Sequence, residues 1–471
     1  MRASHVAAVF TATAFVTLTA CCPVPLPPLP PKVGGLNAGD FELISLNGFD
    51  PEDNRVDIND YAWSMEYFEP DGDAPAYVYV GTGNDMIGLI YQGISAVLGT
   101  AELGDVAARP PELRRYRGDV FRYAWETVLD YRDVEPDPDF ETIGFRFLRQ
   151  YRSLSDGVNH LYAATFGQTA TVWRSATGDP GSWEIFWQTD EPGSIRYMEP
   201  HNGLLYLAFA NEAPTSDDRV GKIFVTDGDE VSAVMTNGFG DPDNVGLMFL
   251  VSFNGWLYAG TKNEAQGYEI WKLAGPDGDE APIAIVTGGG PSAVNEAAIT
   301  PCVFGNQLYI GSQLNPLANI TGGFKAADII RISADGTWET VVGPSSVSGF
   351  GSGFDHWPNT YIWSMTVHEG WLYAATYDQV SPFFNVLENM DRVIKALTRA
   401  REANLIERVW RAGSDLYKTQ DGVTWYRVTL DGFGDVGNYG FRTMESVGDH
   451  LYIGTTNPFD GLEVWRGRSR E

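Results

Sequence analysis

Seven times along the chain a short unit of apolar and small residues recurs, at residues 78–82, 161–165, 205–209, 257–261, 308–312, 372–376 and 451–455. Each opens on an aliphatic residue followed by tyrosine, as in Leu257-Tyr258-Ala259-Gly260-Thr261. Short aliphatic and aromatic runs bounded by Gly, Asn and Asp predict strands rather than helices. The fourth place is always Gly or Ala, small enough for a neighbouring sheet to approach closely. A second pattern, mostly acidic, aliphatic, aromatic, basic, follows each unit, at 119–122, 171–174, 222–225, 269–272, 328–331, 415–418 and 463–466. A turn and a Trp-led strand come next, as in Asp421-Gly422-Val423-Thr424-Trp425. An innermost strand precedes each unit, at 61–65, 144–148, 194–198, 246–250, 298–302, 361–365 and 440–444.

Four strands in each of seven repeats predict an all-β fold, a seven-bladed β-propeller, with roughly 60 residues per blade and the surplus in loops. The last repeat stops after Trp465-Arg466, and residues 41–49 match the outer strand it lacks, as comparison with 425–433 shows. The N-terminal strand is therefore expected to complete blade seven, leaving no open sheet edge between the chain ends. The hairpins at 421–425 and 335–339 resemble a degenerate Asp-box of the sialidase-like propellers, without its leading Ser and first Asp. The repeats are otherwise similar to those of WD40 and kelch propellers. The resemblance implies a fold and no particular activity.

Ahead of the repeats, residues 1–20 carry one cation, Arg2, and then an apolar, small-residue stretch, the make-up of an export signal too short to span a membrane permanently. Leu18-Thr19-Ala20-Cys21 resembles the bacterial lipobox, which implies cleavage before Cys21 and acylation of its thiol, palmitate included. Residues 21–39 follow as a proline-rich tether, and 40–471 as the folded body. The resemblance implies a lipoprotein anchored in the cell envelope and facing away from the cytoplasm. Position 22 is not Asp, which favours the outer membrane. A formal net charge of −30 argues against nucleic acid as a partner, and three cysteines rule out a disulfide framework.

Two connections between second and third strands are much longer than the rest, 83–118 in blade one and 377–414 in blade six. Both belong to the rim taken as the top, and both flank blade seven. In the second, Phe383, Val386, Leu387, Met390, Ile394 and Leu397 recur at helical spacing, with Arg392, Lys395, Arg399 and Arg401 on the other side. Residues 86–98 have a similar apolar rhythm. Two helical insertions on one rim are expected, either packed on the rim or serving as a lid or docking surface.

Aligning the innermost strands puts Trp63, Arg146, Arg196, Met248, Thr300, Trp363 and Arg442 at one height near the channel mouth. Three Arg there suit a carboxylate or sulfate, and the Trp faces suit a sugar or a cation. His356, in the top connection 354–361, has Asp355 and Tyr361 nearby in sequence. His356 and Tyr361 are the candidate base and acid if the protein is an enzyme. The connections at 48–50, 238–241 and 432–435 repeat Gly, Phe and Asp, which Asx-capped turns explain and for which calcium is a lesser reading. No other cofactor and no metal-ligand spacing is evident. The first expectation is therefore a non-catalytic module binding a glycan, a peptide or an envelope protein at the blade six-seven-one rim and channel mouth. The alternative is a polysaccharide lyase or glycosidase acting on acidic polysaccharide.

Overall fold

The computed structural model describes residues 33–45, 47–49, 59–84, 110–118, 123–134, 142–211, 219–273, 281–315, 325–379, 381, 412–458 and 460–469. The export signal, Cys21, most of the tether and both expected helical insertions lie outside these residues. Within them, 28 strands form seven antiparallel blades of four. The innermost strands are Tyr61–Phe68, Thr142–Arg152, Gly193–His201, Asn244–Phe253, Ala297–Phe304, Asn359–His368 and Gly440–Val447. Each pairs with a second strand carrying the aliphatic-Tyr unit, and third and fourth strands follow outward.

At the top, the end of every second strand also pairs with the innermost strand of the next blade. The seven contacts are Gly83 with Gly144, Phe166 with Ser194, Ala210 with Gly246, Lys262 with Ala297, Gln313 with Tyr361, Tyr377 with Gly440, and Thr456 with Tyr61. The ring is thus closed by backbone around its mouth. The small fourth residue of the second strand has the expected cause. A Cβ on Gly454 would lie 2.5 Å from the Cβ of Ala62 in blade one, and one on Gly311 2.7 Å from Ile362 in blade six. The tyrosines of the repeat fill the clefts between blades, and Tyr79, Tyr162, Tyr258, Tyr309 and Tyr373 are buried.

The Asp-box-like hairpin of blade six serves the same packing. Its Gly422 leaves room for the Tyr309 hydroxyl of blade five, which a Cβ there would meet at 1.9 Å. Although burial opposes ionisation of Asp421, the amides of Thr424 and Val423 and the hydroxyls of Thr424 and Thr419 hold its carboxyl down at about 2.

Two sequence expectations need correction here. The third strand of blade one is Glu112–Tyr116, paired to residues 78–81, whereas the expected strand at 119–122 lies outside the described residues. Glu112-Leu113 supplies the acidic-aliphatic start and Arg115 the basic end, but Arg114 stands where most other blades place an aromatic, so the sequence match slipped downstream. The tether is also shorter than 21–39, because its last residues belong to the body. Leu36 is fully buried and its amide donates to the Tyr373 hydroxyl at 2.8 Å. Gly34 and Gly35 lie flat on the Trp371 ring. Lys418 Nζ donates to the carbonyls of Leu36 (2.8 Å), Gly35 (3.2 Å) and Val33 (3.4 Å) and to Asn37 Oδ1 (3.1 Å). Burial pulls this ammonium down to about 8.

From this latch the chain enters blade seven as its outer strand. Phe41 pairs with Gly467, Glu42 with Arg466 and Leu43 with Trp465, which is the expected closure. The strand runs from the bottom rim to the top. Lys418→Ala would leave the strap carbonyls without their shared donor. It should lower stability by about 2 kcal/mol in denaturant titration and speed hydrogen exchange at the Leu36 amide, while central strands stay protected. Unchanged exchange at Leu36 would show that Lys418 does not hold the strap.

Candidate functional site

The inner strands share one irregularity. In each, the register with the second strand slips by one residue at the same height, between Ala62 and Ser64, Phe145 and Phe147, Ile195 and Tyr197, Leu247 and Phe249, Ala298 and Thr300, Ile362 and Ser364, and Phe441 and Thr443. A bulge re-aims the extra side chain out of the ladder. The bulged residues are Trp63, Arg146, Arg196, Met248, Ile299, Trp363 and Arg442. Six of the seven expected ring positions are therefore right. In blade five the residue is Ile299 rather than Thr300, because that repeat was aligned one place too far along.

Around this level the aromatic side chains form one cluster. Tyr61 meets Trp63 and Trp363 edge-on at 6.3 and 6.0 Å, and its hydroxyl hydrogen-bonds that of Tyr439. Tyr361 stacks on Tyr377 at 4.5 Å, and Trp363 meets the Tyr377 ring at 4.9 Å. Arg146 lies over the Trp63 ring at 4.4 Å and Arg442 over the Trp363 ring at 5.4 Å. Burial raises the Tyr61 phenol, while Tyr439, Arg442 and Arg146 oppose the rise. The Tyr361 phenol is likewise raised by burial, with Arg196 and Arg146 pulling the other way. The three arginines thus gather about one group of phenols, as the pseudo-symmetry requires. Asp60 and Glu296 share the rim, so the mouth is mixed in charge rather than purely positive.

The tryptophans do not offer the open faces expected of them. Trp63 is 4% and Trp363 9% exposed. A Cβ on Gly83 or Gly144 would lie 2.3 or 2.2 Å from Trp63, and one on Gly440 2.1 Å from Trp363. Each ring is pressed against glycine backbone and covered by a guanidinium, so it supports the mouth and has no face free for a sugar. Tyr61 opens an inner strand, Tyr377 ends a second strand and Tyr439 lies just before an inner strand, so comparing the inner strands at one level does not single them out.

Lower in the channel a second ring uses the place two residues beyond the bulge partner. It contains Glu66, Arg149, Glu199, Cys302 and Glu445. Several of these side chains bond to the next blade's backbone: Glu66 accepts from the Gln150 amide at 3.1 Å, Glu199 from the Ser252 amide at 2.8 Å, and Arg149 donates to the Met198 carbonyl at 2.9 Å. Arg149 stands 3.7 Å from Glu66 and 3.5 Å from Glu199. Burial pushes the Cys302 thiol up to about 12, which disfavours the thiolate at neutral pH.

The top connections explain the acidic-aliphatic-aromatic pattern. Gly238-Phe239 and Gly432-Phe433 adopt left-handed backbone, with φ of 58° and 63° and of 65° and 62°. That conformation is costly for phenylalanine, and each ring is compensated by contact with the third-strand aromatic, Phe239 stacked on Trp271 at 4.7 Å and Phe433 tilted against Trp465 at 4.8 Å. The closing Asn244 and Asn438 amides donate to the third-strand acids Glu269 and Glu463 at 2.8 and 2.6 Å. Asp241 and Asp435 each use both carboxylate oxygens within these turns, on a backbone amide and on Asn263 or Asn457. These bonds make the Asp residues turn-formers. Among the described residues no group of three or more His, Cys, Asp or Glu is arranged to hold a metal ion.

His356 closes the equivalent turn of blade six, its amide donating to the Gly353 carbonyl at 3.2 Å. Asp355 is exposed and its Oδ1 accepts from the Gly351 amide at 2.8 Å, so it serves its own turn.

No family model matches the chain, and no curated protein matches it. Among solved structures it is similar to the WD40 repeats of RRP9, at 8% identity over 93% of this chain and 100% of that one, with a TM-score of 0.47. A prolyl endopeptidase structure matches at 12% identity over 90% of this chain and 52% of that one, with a TM-score of 0.42. Likeness at this level adds nothing to what the strand pairing already establishes.

The lower ring yields a pH dependence. Burial first, and Glu66 next, push the Glu445 carboxyl up to about 8, against the pull of Arg149. Below about pH 4.5 both folded and unfolded chains hold this proton and the group is neutral to stability. Between there and pH 8 only the folded chain keeps it, so stability falls as pH rises. Glu445 retains some contact with channel water, which screens the effect to the order of 1 kcal/mol. Glu445→Gln should match the parent at pH 4.5 and exceed it at pH 8.5 in denaturant titrations. A difference that stays constant with pH would exclude this assignment.

Proposed function

We propose that the chain is an envelope-displayed binding propeller whose top mouth receives an anionic ligand, a carboxylate or sulfate group of a glycan, peptide or envelope protein. The observation that carries this reading is that Arg146, Arg196 and Arg442 occupy the one level at which the described inner strands bulge, Arg146 being 7% exposed and the other two more open. Arg146 and Arg442 lie over the Trp63 and Trp363 rings, and a guanidinium can bind both oxygens of a carboxylate. The Trp side chains and the buried phenols of Tyr61, Tyr377 and Tyr439 act here as supports.

The path of the N-terminal strap supports the display half of the reading. The strap leaves the body at the bottom rim, beside Trp371 and Lys418, and the mouth opens on the other rim. A lipid on Cys21 would therefore hold the mouth turned away from the membrane. Carbohydrate chemistry at the same mouth, with His356 as base and Tyr361 as acid, is the alternative.

Titration calorimetry with oligogalacturonate, a sulfated oligosaccharide and an acidic peptide tests the proposal. Replacement of Arg146, Arg196 or Arg442 by Gln should weaken binding of the preferred probe about tenfold each, whereas Arg468→Gln on the third strand of blade seven, away from the mouth, should not. Failure of all three probes, or equal affinities in the mouth and outer variants, would defeat the reading. Release of unsaturated uronate that vanishes in His356→Ala would select the enzymatic alternative.

A further inference from the structure

Charge occupies only part of the level at which the inner strands bulge. Blades two, three and seven place arginines there, whereas blades four and five place Met248 and Ile299. Met248 is buried, but Ile299 is partly exposed. Its bulge, between Ala298 and Thr300, turns an aliphatic side chain out of the ladder as the other bulges turn out the arginines. Lower in the channel, the partly exposed members of the second ring include Arg149, Glu199 and Glu445. Contact with channel water alone therefore does not call for an aliphatic group.

Ile299 is one of four such side chains. Ile143, Phe166 and Tyr361 are also partly exposed, and all four pack on the buried cluster of Tyr61, Trp63, Trp363, Tyr377 and Tyr439. Ile143 stands three residues before Arg146 on the same inner strand, at a further register slip between Thr142 and Gly144. Phe166, at the top of the next strand, meets the Trp63 ring edge-on at 5.8 Å, the ring over which Arg146 lies at 4.4 Å. Tyr361 comes from blade six, on the far side of the ring from blades two and three. Burial and Glu296 raise its phenol, whereas Arg196 and Arg146 pull it down, so it reaches the space of the arginines from across the axis. Apolar surface and guanidinium groups thus share one mouth.

We infer that the ligand of the mouth is an amphiphilic carboxylate, its anion held by the arginines and its apolar group laid against Ile143, Phe166, Ile299 and Tyr361. The inference rests on the anion-binding reading of the mouth and narrows it to one chemistry. A uronate carries hydroxyls around its ring, and burying them against these side chains would leave them without partners. The tryptophans, covered as they are, offer no stacking face in exchange. A carboxylate beside an aliphatic or phenyl group meets both halves of the surface, burying apolar area while its charge stays bonded. The end of a peptide with an apolar last residue and a short fatty acid share this chemistry.

Ligand-observed NMR titration of the full chain with N-acetylglycinate, N-acetylphenylalaninate, hexanoate and galacturonate tests this. N-acetylphenylalaninate or hexanoate should bind about tenfold tighter than N-acetylglycinate, and the tighter of the two tells a peptide end from a fatty acid. Galacturonate should bind no tighter than N-acetylglycinate. Ile299→Asn should remove most of the apolar advantage while leaving N-acetylglycinate within about twofold of the parent. Ile143→Asn should do the same, and decides the matter should Ile299→Asn fail to fold. Carboxylates that bind without preference for the apolar probes, or tightest as galacturonate, would overturn the inference and leave the anion site standing. So would both Asn variants weakening every carboxylate alike. Absence of binding by all four probes would defeat the anion site and this inference with it.

Discussion

Ring closure is the constraint that everything else serves. Seven sheets around an axis hold together only if the seventh is bonded to the first, and here Thr456 against Tyr61 makes that bond by backbone. The outer side of the same blade is completed by a strand of only three residues, Phe41–Leu43. A three-residue strand gains little from its own ladder, so the strap before it matters. Leu36, Trp371 and Lys418 supply the burial and hydrogen bonds that keep the strand in place. Tension on the N-terminus would reach this latch before it reached the blades.

The closed ring also accounts for the polar residues in the channel. Innermost strands converge toward the axis, and their side chains must either fill space or bond sideways. Glu66, Arg149 and Glu199 bond sideways to the next inner strand, and the hydroxyls of Ser64 and Ser364 do the same on the carbonyls of Phe145 and Phe441. Charged groups in a channel are therefore no evidence of chemistry by themselves. The lower ring reads as structure with an ionisation cost at Glu445, and the upper ring, where bulges turn seven side chains out of their ladders, is the better place for a ligand.

Most of the architecture was legible because repetition exposes it. The aliphatic-Tyr unit marks the second strand through a packing need, a tyrosine for the cleft and a small residue for the neighbouring blade. The closing strand was legible because residues 41–49 match a sister strand residue by residue. What failed did so for physical reasons. Blade one places Arg114 where an aromatic was sought, and the one-residue slip in blade five put the apolar Cys302 at a core place that Pro301 holds. The docked strap was missed because Val33 to Asn37 carries no strand pattern, and its fit depends on Trp371 and Lys418, more than 300 residues away in sequence.

Repetition also shows where the chain ceases to behave as a scaffold. A position that holds the same residue in sister blades is answering to the fold, and one that changes alone needs compensation nearby. Blade five illustrates the mild case: Ser292 and Leu314 stand in place of the Asp and Asn, and Leu314 is simply buried. Blade six places titratable groups, His356 and Asp378, at both positions instead, beside the aromatic cluster and at the base of the longest connection. A scaffold has no need of an imidazole there, since Asp with Asn closes the same turn in two other blades. The departure is therefore confined to blade six, beside the level at which the inner strands bulge.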